Sequence, residues 1–191
     1  MARTWCWKYL VLAEWIYNLA MTNNDILRRI RYTFDYDDTK MIAIFALANL
    51  ELKRGHLLAW LKKEEDPAYQ ECNDRMLATF LNGLITEQRG KKDGPQPKAE
   101  MRLSNNAILM KLKIALNLKA DDILEILELA DFTLSTHELS SFFRRPGHKN
   151  FRECKDQVLR KFLKGLQLKL RDDQQEEKDT GNKPFKWPQR R

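Results

Sequence analysis

Few of the residues that usually announce chemistry are present. Among 191 residues there are three histidines and three cysteines. There is no CxxC, no HExxH, no phosphate-binding glycine loop and no His/Cys/Asp cluster at metal-ligand spacing. Catalysis, metal binding and cofactor binding therefore have no signature, and the expectation is a non-enzymatic protein with no cofactor and no metal. Cys6, Cys72 and Cys154 are odd in number, which argues against a disulfide framework and for a reducing compartment, the cytoplasm. A membrane span is missing too. The apolar stretch within residues 1–20, MARTWCWKYLVLAEWIYNLA, is interrupted by Glu14. It falls short of the roughly 20 apolar residues needed to cross a bilayer, and it lacks the cleavage site of a signal peptide. Strand-like alternation is also absent, so the apolar spacing is helical throughout.

What is there is a duplication. Residues 23–84, moved forward by 82 positions, fall on residues 105–166 without a gap. TNNDIL lies over SNNAIL, and YQECNDRMLATFLNGL over FRECKDQVLRKFLKGL. A match at fixed period marks a repeated structural unit. The organisation that follows is an N-terminal extension at 1–21, repeat 1 at 22–90, a linker at 91–103, repeat 2 at 104–170 and a disordered polar and basic tail at 171–191. The linker is rich in Gly, Pro and charge. Met21 stands directly before repeat 1, and two readings fit the Trp-rich stretch ahead of it: a mis-set translation start, or an added amphipathic helix docked on the body.

Each repeat divides into about four helices. In repeat 1 they fall near residues 24–35, 38–48, 53–62 and 74–87, with Ile26, Leu27, Ile30 and Phe34 along the first and Leu77, Phe80, Leu81 and Leu84 along the last. Asn23 or Asn24, and Asn105 or Asn106, are candidate N-caps. Ser135-Thr136-His137-Glu138 reads as a capping box. The fold class is all-α, two tandem, pseudo-symmetric bundles of about four helices each.

Three shared features invite a functional reading and each has a packing alternative. The element aromatic-x-Glu-Cys-x-Asp places Cys72 and Cys154 near helix N-termini, where a thiol can be activated. No histidine recurs at matching positions to serve as base, so buried packing cysteines fit better. Gly83 and Gly165 lie inside a helix, at a cost of roughly 1 kcal/mol each against alanine, which points to close helix approach within a copy or across the seam between copies. The second and third helices resemble a helix-turn-helix, but the turn is long and its usual glycine is replaced by Asn49 and Asp131. Such hairpins also build ordinary bundles.

The copies differ most in charge. Residues 21–90 hold ten Lys and Arg against eleven Asp and Glu, a balance of −1, whereas residues 104–171 hold thirteen against eight, +5, within a chain of net +7. The loop before the last helix reads KKEEDPAYQECN in repeat 1 and RRPGHKNFRECK in repeat 2. Basic residues interleaved with an aromatic can contact phosphates and stack on a base. Arg144, Arg145, Lys149 and Arg152 are the candidate phosphate contacts, with Phe151 as a stacking platform, and RNA or DNA is the expected partner. Another protein, docked in an apolar groove of the repeats, is the alternative partner; a solvated loop is the plain structural reading. No membrane partner is expected.

The paired Asn-Asn starts, the aromatic-x-Glu-Cys-x-Asp element and the LxxFLxGL element, each present twice, resemble the YehS-like family, bacterial proteins with a duplicated domain of unknown function. The resemblance covers residues 22 to about 170. It implies a compact cytoplasmic protein beginning close to Met21, with no established activity or catalytic residues; the Trp-rich leader departs from the family pattern.

Overall fold

A computed structural model describes residues 21–91 and 93–180, the final nine through their backbone alone. The expectations for residues 1–20 and 181–191 lie outside the described residues. Repeat 1 contains α1 (Asn23–Thr33), α2 (Asp38–Leu47), α3 (Arg54–Leu61) and α4 (Asp74–Arg89). Repeat 2 contains α5 (Asn105–Ala115), α6 (Ala120–Glu128), α7 (Thr136–Phe142) and α8 (Asp156–Thr180). Among the described residues there is no strand, so the chain is all-helical and built twice. α8 continues past residue 170, where a tail was expected to begin; the Gln, Glu and Lys of DDQQEEKDT are good helix formers.

The first helix of each repeat is capped by a hydroxyl, not by an asparagine. Thr22 caps α1, its Oγ1 accepting from the Asp25 N–H while the Asp25 carboxylate accepts from the Thr22 N–H. Ser104 caps α5 by accepting from the Ala107 N–H. The expectation that Asn23, Asn24, Asn105 or Asn106 would cap is therefore corrected: these side chains are engaged elsewhere. Asn24 is fully buried, and its Nδ2 donates to the Trp60 and Gln70 carbonyls at 2.8 Å each while its Oδ1 accepts from the Cys72 N–H at 2.9 Å. Asn106 repeats the arrangement with Phe142 O, Arg152 O and Cys154 N–H, all at 2.9 Å. Trp60 O belongs to the last turn of α3, where carbonyls lack helical partners, and an amide can answer two acceptors and a donor at once.

The asparagine before each clamp stitches the helices. Asn23 Nδ2 donates to Asp74 Oδ1 at 2.8 Å, and the other oxygen of Asp74 accepts from the Leu103 N–H at 2.9 Å. The equivalent set in the second copy is Asn105 Nδ2 to Asp156 Oδ1 at 2.6 Å and Met21 N–H to Asp156 Oδ2 at 3.1 Å. Each aspartate thus ties its own repeat to the segment leading into the other. The seams follow suit, α4 packing on α5 and α8 on α1. One hydrophobic core runs through both bundles, from Leu27, Phe45 and Phe80 to Leu109, Ile126 and Phe162.

Within each copy the glycines set the spacing. A Cβ added to Gly83 would sit well under 3.0 Å from the Ile44 carbonyl oxygen, and one on Gly165 equally close to that of Ile126. Of the two approaches the sequence allowed, the structure shows the one inside a copy, α4 on α2 and α8 on α6. The turns that end α2 and α6 place Asn49 at φ 60° and Asp131 at φ 53°. Leu50 N–H bonds Phe45 O and Phe132 N–H bonds Leu127 O, at 3.1 Å each, a Schellman closure. Asn and Asp tolerate the left-handed region better than other side chains, which is why they stand where glycine is usual.

Asn106→Ala strands two carbonyls and one amide in the interior, and should cost about 3–5 kcal/mol in chemical denaturation; a loss below about 1 kcal/mol would show that water replaces the clamp. Gly83→Ala should destabilise by about 1–3 kcal/mol through overpacking. Gly55→Ala, with no atom within 4 Å of the added methyl, should be neutral or stabilising by up to about 1 kcal/mol.

Candidate nucleic-acid interface

The loop between α7 and α8 is fixed at both ends by the Asn106 clamp. Arg152 O accepts from Asn106, the Arg152 N–H donates to Ser141 O at 3.3 Å, and the Cys154 N–H is held by the Asn106 carbonyl. Between these anchors the chain makes two turns, His148 N–H to Arg145 O at 3.1 Å and Phe151 N–H to His148 O at 2.8 Å. The equivalent loop of repeat 1 is built alike, with Asp66 N–H to Lys63 O at 3.0 Å and Tyr69 N–H to Asp66 O at 2.9 Å. Backbone path and anchors are common property.

The side chains are not. In repeat 1, Asp66 Oδ1 accepts from the Ala68 N–H at 2.8 Å, and its carboxylate pairs with Lys62 Nζ at 2.9 Å. The Lys62 contact, then the Ala68 N–H, holds the Asp66 carboxyl below its usual range. In repeat 2, His148 stands at that position and its Nδ1 accepts from the Asn150 N–H at 3.1 Å. The turn bond survives and the negative charge does not. Arg144, which corresponds to Lys62, consequently has no carboxylate within ion-pair distance among the described residues, and neither has Arg145 or Lys149; all three are exposed.

The five candidate residues therefore separate. Arg144, Arg145 and Lys149 present unpaired charge on one loop. Arg152 is exposed but lies 3.6 Å from Glu138 Oε1. That carboxyl is held below its usual range chiefly by the Ser135 hydroxyl and N–H, with Arg152 a smaller contribution. Phe151 is half-buried, so only part of its ring can meet a ligand. Lys155, beside the cluster in sequence, is paired with Glu153 at 2.7 Å. α7 is only seven residues long and buries Leu139, Ser141 and Phe142, so it serves packing.

Cys72 and Cys154 are buried and free. Burial, and after it Asp74 and Glu71, pushes the Cys72 thiol up to about 12. Burial, Asp156 and Glu153 do the same to Cys154, again to about 12. Their environment disfavours the thiolate, the form a nucleophile or a metal ligand needs. Among the described residues no group of three or more His, Cys, Asp or Glu is placed to hold a metal ion, and no helix is long and apolar enough to cross a membrane.

Sequence reasoning missed the asparagine clamp that carries this loop. Its signal was present: an Asn-Asn pair kept in both copies although hydroxyl caps precede it. The role of His148 was missed as well, because it shows only when each loop residue is set against its counterpart.

The family described as Protein of unknown function (DUF1456) matches the chain twice, at residues 23–90 and 105–172, once over each helical repeat. A curated relative, "Uncharacterized protein YehS" of Escherichia coli (strain K12), is 47% identical over 147 residues, covering 76% of this chain and 94% of that protein. No solved structure matches. Two family matches in tandem, and a relative sharing nearly half the aligned residues, establish that the chain belongs to this YehS-like family of duplicated DUF1456 domains.

Proposed function

We propose that the protein is a non-enzymatic cytoplasmic binding protein that contacts RNA or DNA through the α7–α8 loop. One observation carries the reading: the exchange of Asp66 for His148 keeps the turn bond and removes the carboxylate, leaving Arg144, Arg145 and Lys149 exposed on an anchored backbone. Unpaired cations held on a fixed loop are suited to phosphates, whose neutralisation releases counterions and drives association. Arg152 adds a fourth charge by leaving Glu138, a surface pair of small stability value. The partly covered Phe151 ring can add edge contact to a base.

The competing reading, docking of another protein, has one structural feature in its favour. A cleft of ≈ 630 Å³ lies between the end of α2, α4 and the linker, with the exposed side chains of Leu47 and Met101 at its border. Capture from lysate with and without nuclease separates the two, because only a nucleic-acid tether is lost on digestion.

Electrophoretic shifts with mixed RNA and DNA should show binding that weakens steeply with salt. Replacing Arg144, Arg145, Lys149 and Arg152 by Glu should weaken it by more than about tenfold and lower the log–log salt slope by about 3–4, with the melting temperature unchanged. Equal binding by the fourfold variant would end this reading. For the thiols, a shift from 9.0 to about 12 leaves about one part in ten thousand as thiolate at pH 8. Peptide mapping after mild alkylation should find Cys72 and Cys154 unmodified in the native protein and modified after denaturation. Rapid native labelling of either would reopen a thiol chemistry.

A further inference from the structure

The two seams are related by the duplication, yet they end differently. Beside the α1–α8 seam a cavity of ≈ 360 Å³ opens where Arg28, Arg31, Tyr32, Asp35 and Tyr36 meet Leu61 and Arg171, so one carboxylate stands in its wall. Each guanidinium is oriented by a backbone carbonyl. Arg28 donates to Lys62 O at 2.5 Å, Arg31 to Tyr36 O at 3.1 Å and Arg171 to Tyr32 O at 3.0 Å. Each also reaches one carboxylate, respectively Asp25, Asp38 and Asp35. Arginine carries five N–H donors, so these bonds use two of five on each side chain. Asp35, 77% exposed and 3.3 Å away, is the most loosely held of the three acids.

The second copy shows what the fold alone requires here. At the positions of Arg28, Arg31, Tyr32 and Tyr36 it has Met110, Lys113, Ile114 and Leu118. Lys113 lies over the Phe143 ring, 5.2 Å from its centroid. Only the arginine closing the seam is shared: Arg89 reaches Asn117 as Arg171 reaches Asp35. The bundle therefore closes without Arg28 or either tyrosine, and their convergence calls for another reason.

We propose that this cavity is a phosphate site, in which Arg28, Arg31 and Arg171 grip the oxyanion of a phosphorylated ligand. Guanidinium forks match phosphate oxygens in pairs, which lysine cannot do. The Arg171 guanidinium lies 3.6 Å over the Tyr32 ring, fixing both before a ligand arrives. Tyr36, whose OH accepts from Gln88 Nε2 of α4 at 3.1 Å, is held in place as part of the wall. The volume lies at the small end of the about 300–1,000 Å³ typical of ligand pockets. The phosphate can come from a small ester or from a polynucleotide strand, and this site does not depend on the α7–α8 loop.

Backbone amide shifts in the full-length protein, followed while adding inorganic phosphate, a nucleoside monophosphate or a short single-stranded oligonucleotide at constant ionic strength, test the assignment. Saturable shifts at residues 28–36 and 171 are expected. The Arg28→Met/Arg31→Lys variant, which adopts the residues of repeat 2, should weaken them roughly tenfold. The fourfold loop variant should leave them intact, so this site and the loop reading can fail separately. If the double variant does not fold, Arg31→Lys alone carries the same expectation. Saturation by phosphate or the monophosphate assigns a small ester; saturation by the oligonucleotide alone assigns the strand. No saturable shift with any probe, shifts equalled by sodium chloride, or shifts unchanged in a folded variant would overturn the proposal.

Discussion

The structure depends most on a buried primary amide. Asn24 in one copy and Asn106 in the other each take three backbone groups that no helix can satisfy, two carbonyls and one amide hydrogen, and satisfy them in the interior. An unpaired buried backbone group costs about 1–3 kcal/mol, so a loop that passes so close to the core is tolerated only because the amide is there. The clamp joins the first helix of each copy to the end of the third and to the start of the fourth. It also supplies the fixed ends of the loop between them.

Two consequences follow from that anchoring. The segment after the clamp delivers Asp74 and Asp156 to the seam, where each carboxylate binds an asparagine of its own copy and a backbone N–H leading into the other. The copies are therefore interlocked and share one core, with the intra-copy approach of α4 to α2 and α8 to α6 set by Gly83 and Gly165. The middle of the anchored loop, meanwhile, carries little structural duty. Its charge could reverse between copies while its turns stayed the same, as the exchange of Asp66 for His148 shows.

Much of this was legible in the sequence. The period of 82 residues and the helical spacing gave two bundles, and the doubled glycines gave close helix contact, because those signals are local or repeated. The clamp was not legible as a clamp. Asn24 looks like a cap because it stands near a helix start, and only the fold reveals the carbonyls of Trp60 and Gln70, 36 and 46 residues away. The arginine cavity escaped for the same reason: Arg171 comes from the last helix and Arg28 from the first. At the loop, sequence alone found the cluster but could not separate unpaired Arg144, Arg145 and Lys149 from Arg152 beside Glu138 or from half-buried Phe151.

A duplicated chain contains its own control: what both copies retain builds the fold, and what one copy changed is where the binding role is proposed. The most direct test of that claim exchanges residues 62–69 with residues 144–151, leaving both asparagine clamps in place. The exchanged protein should melt cooperatively at the wild-type temperature and still bind nucleic acid, with crosslinks moved from the repeat 2 loop to the repeat 1 loop. Crosslinks that remain on repeat 2 after the exchange, or a collapse of stability, would contradict the division between the shared frame and the divergent loop.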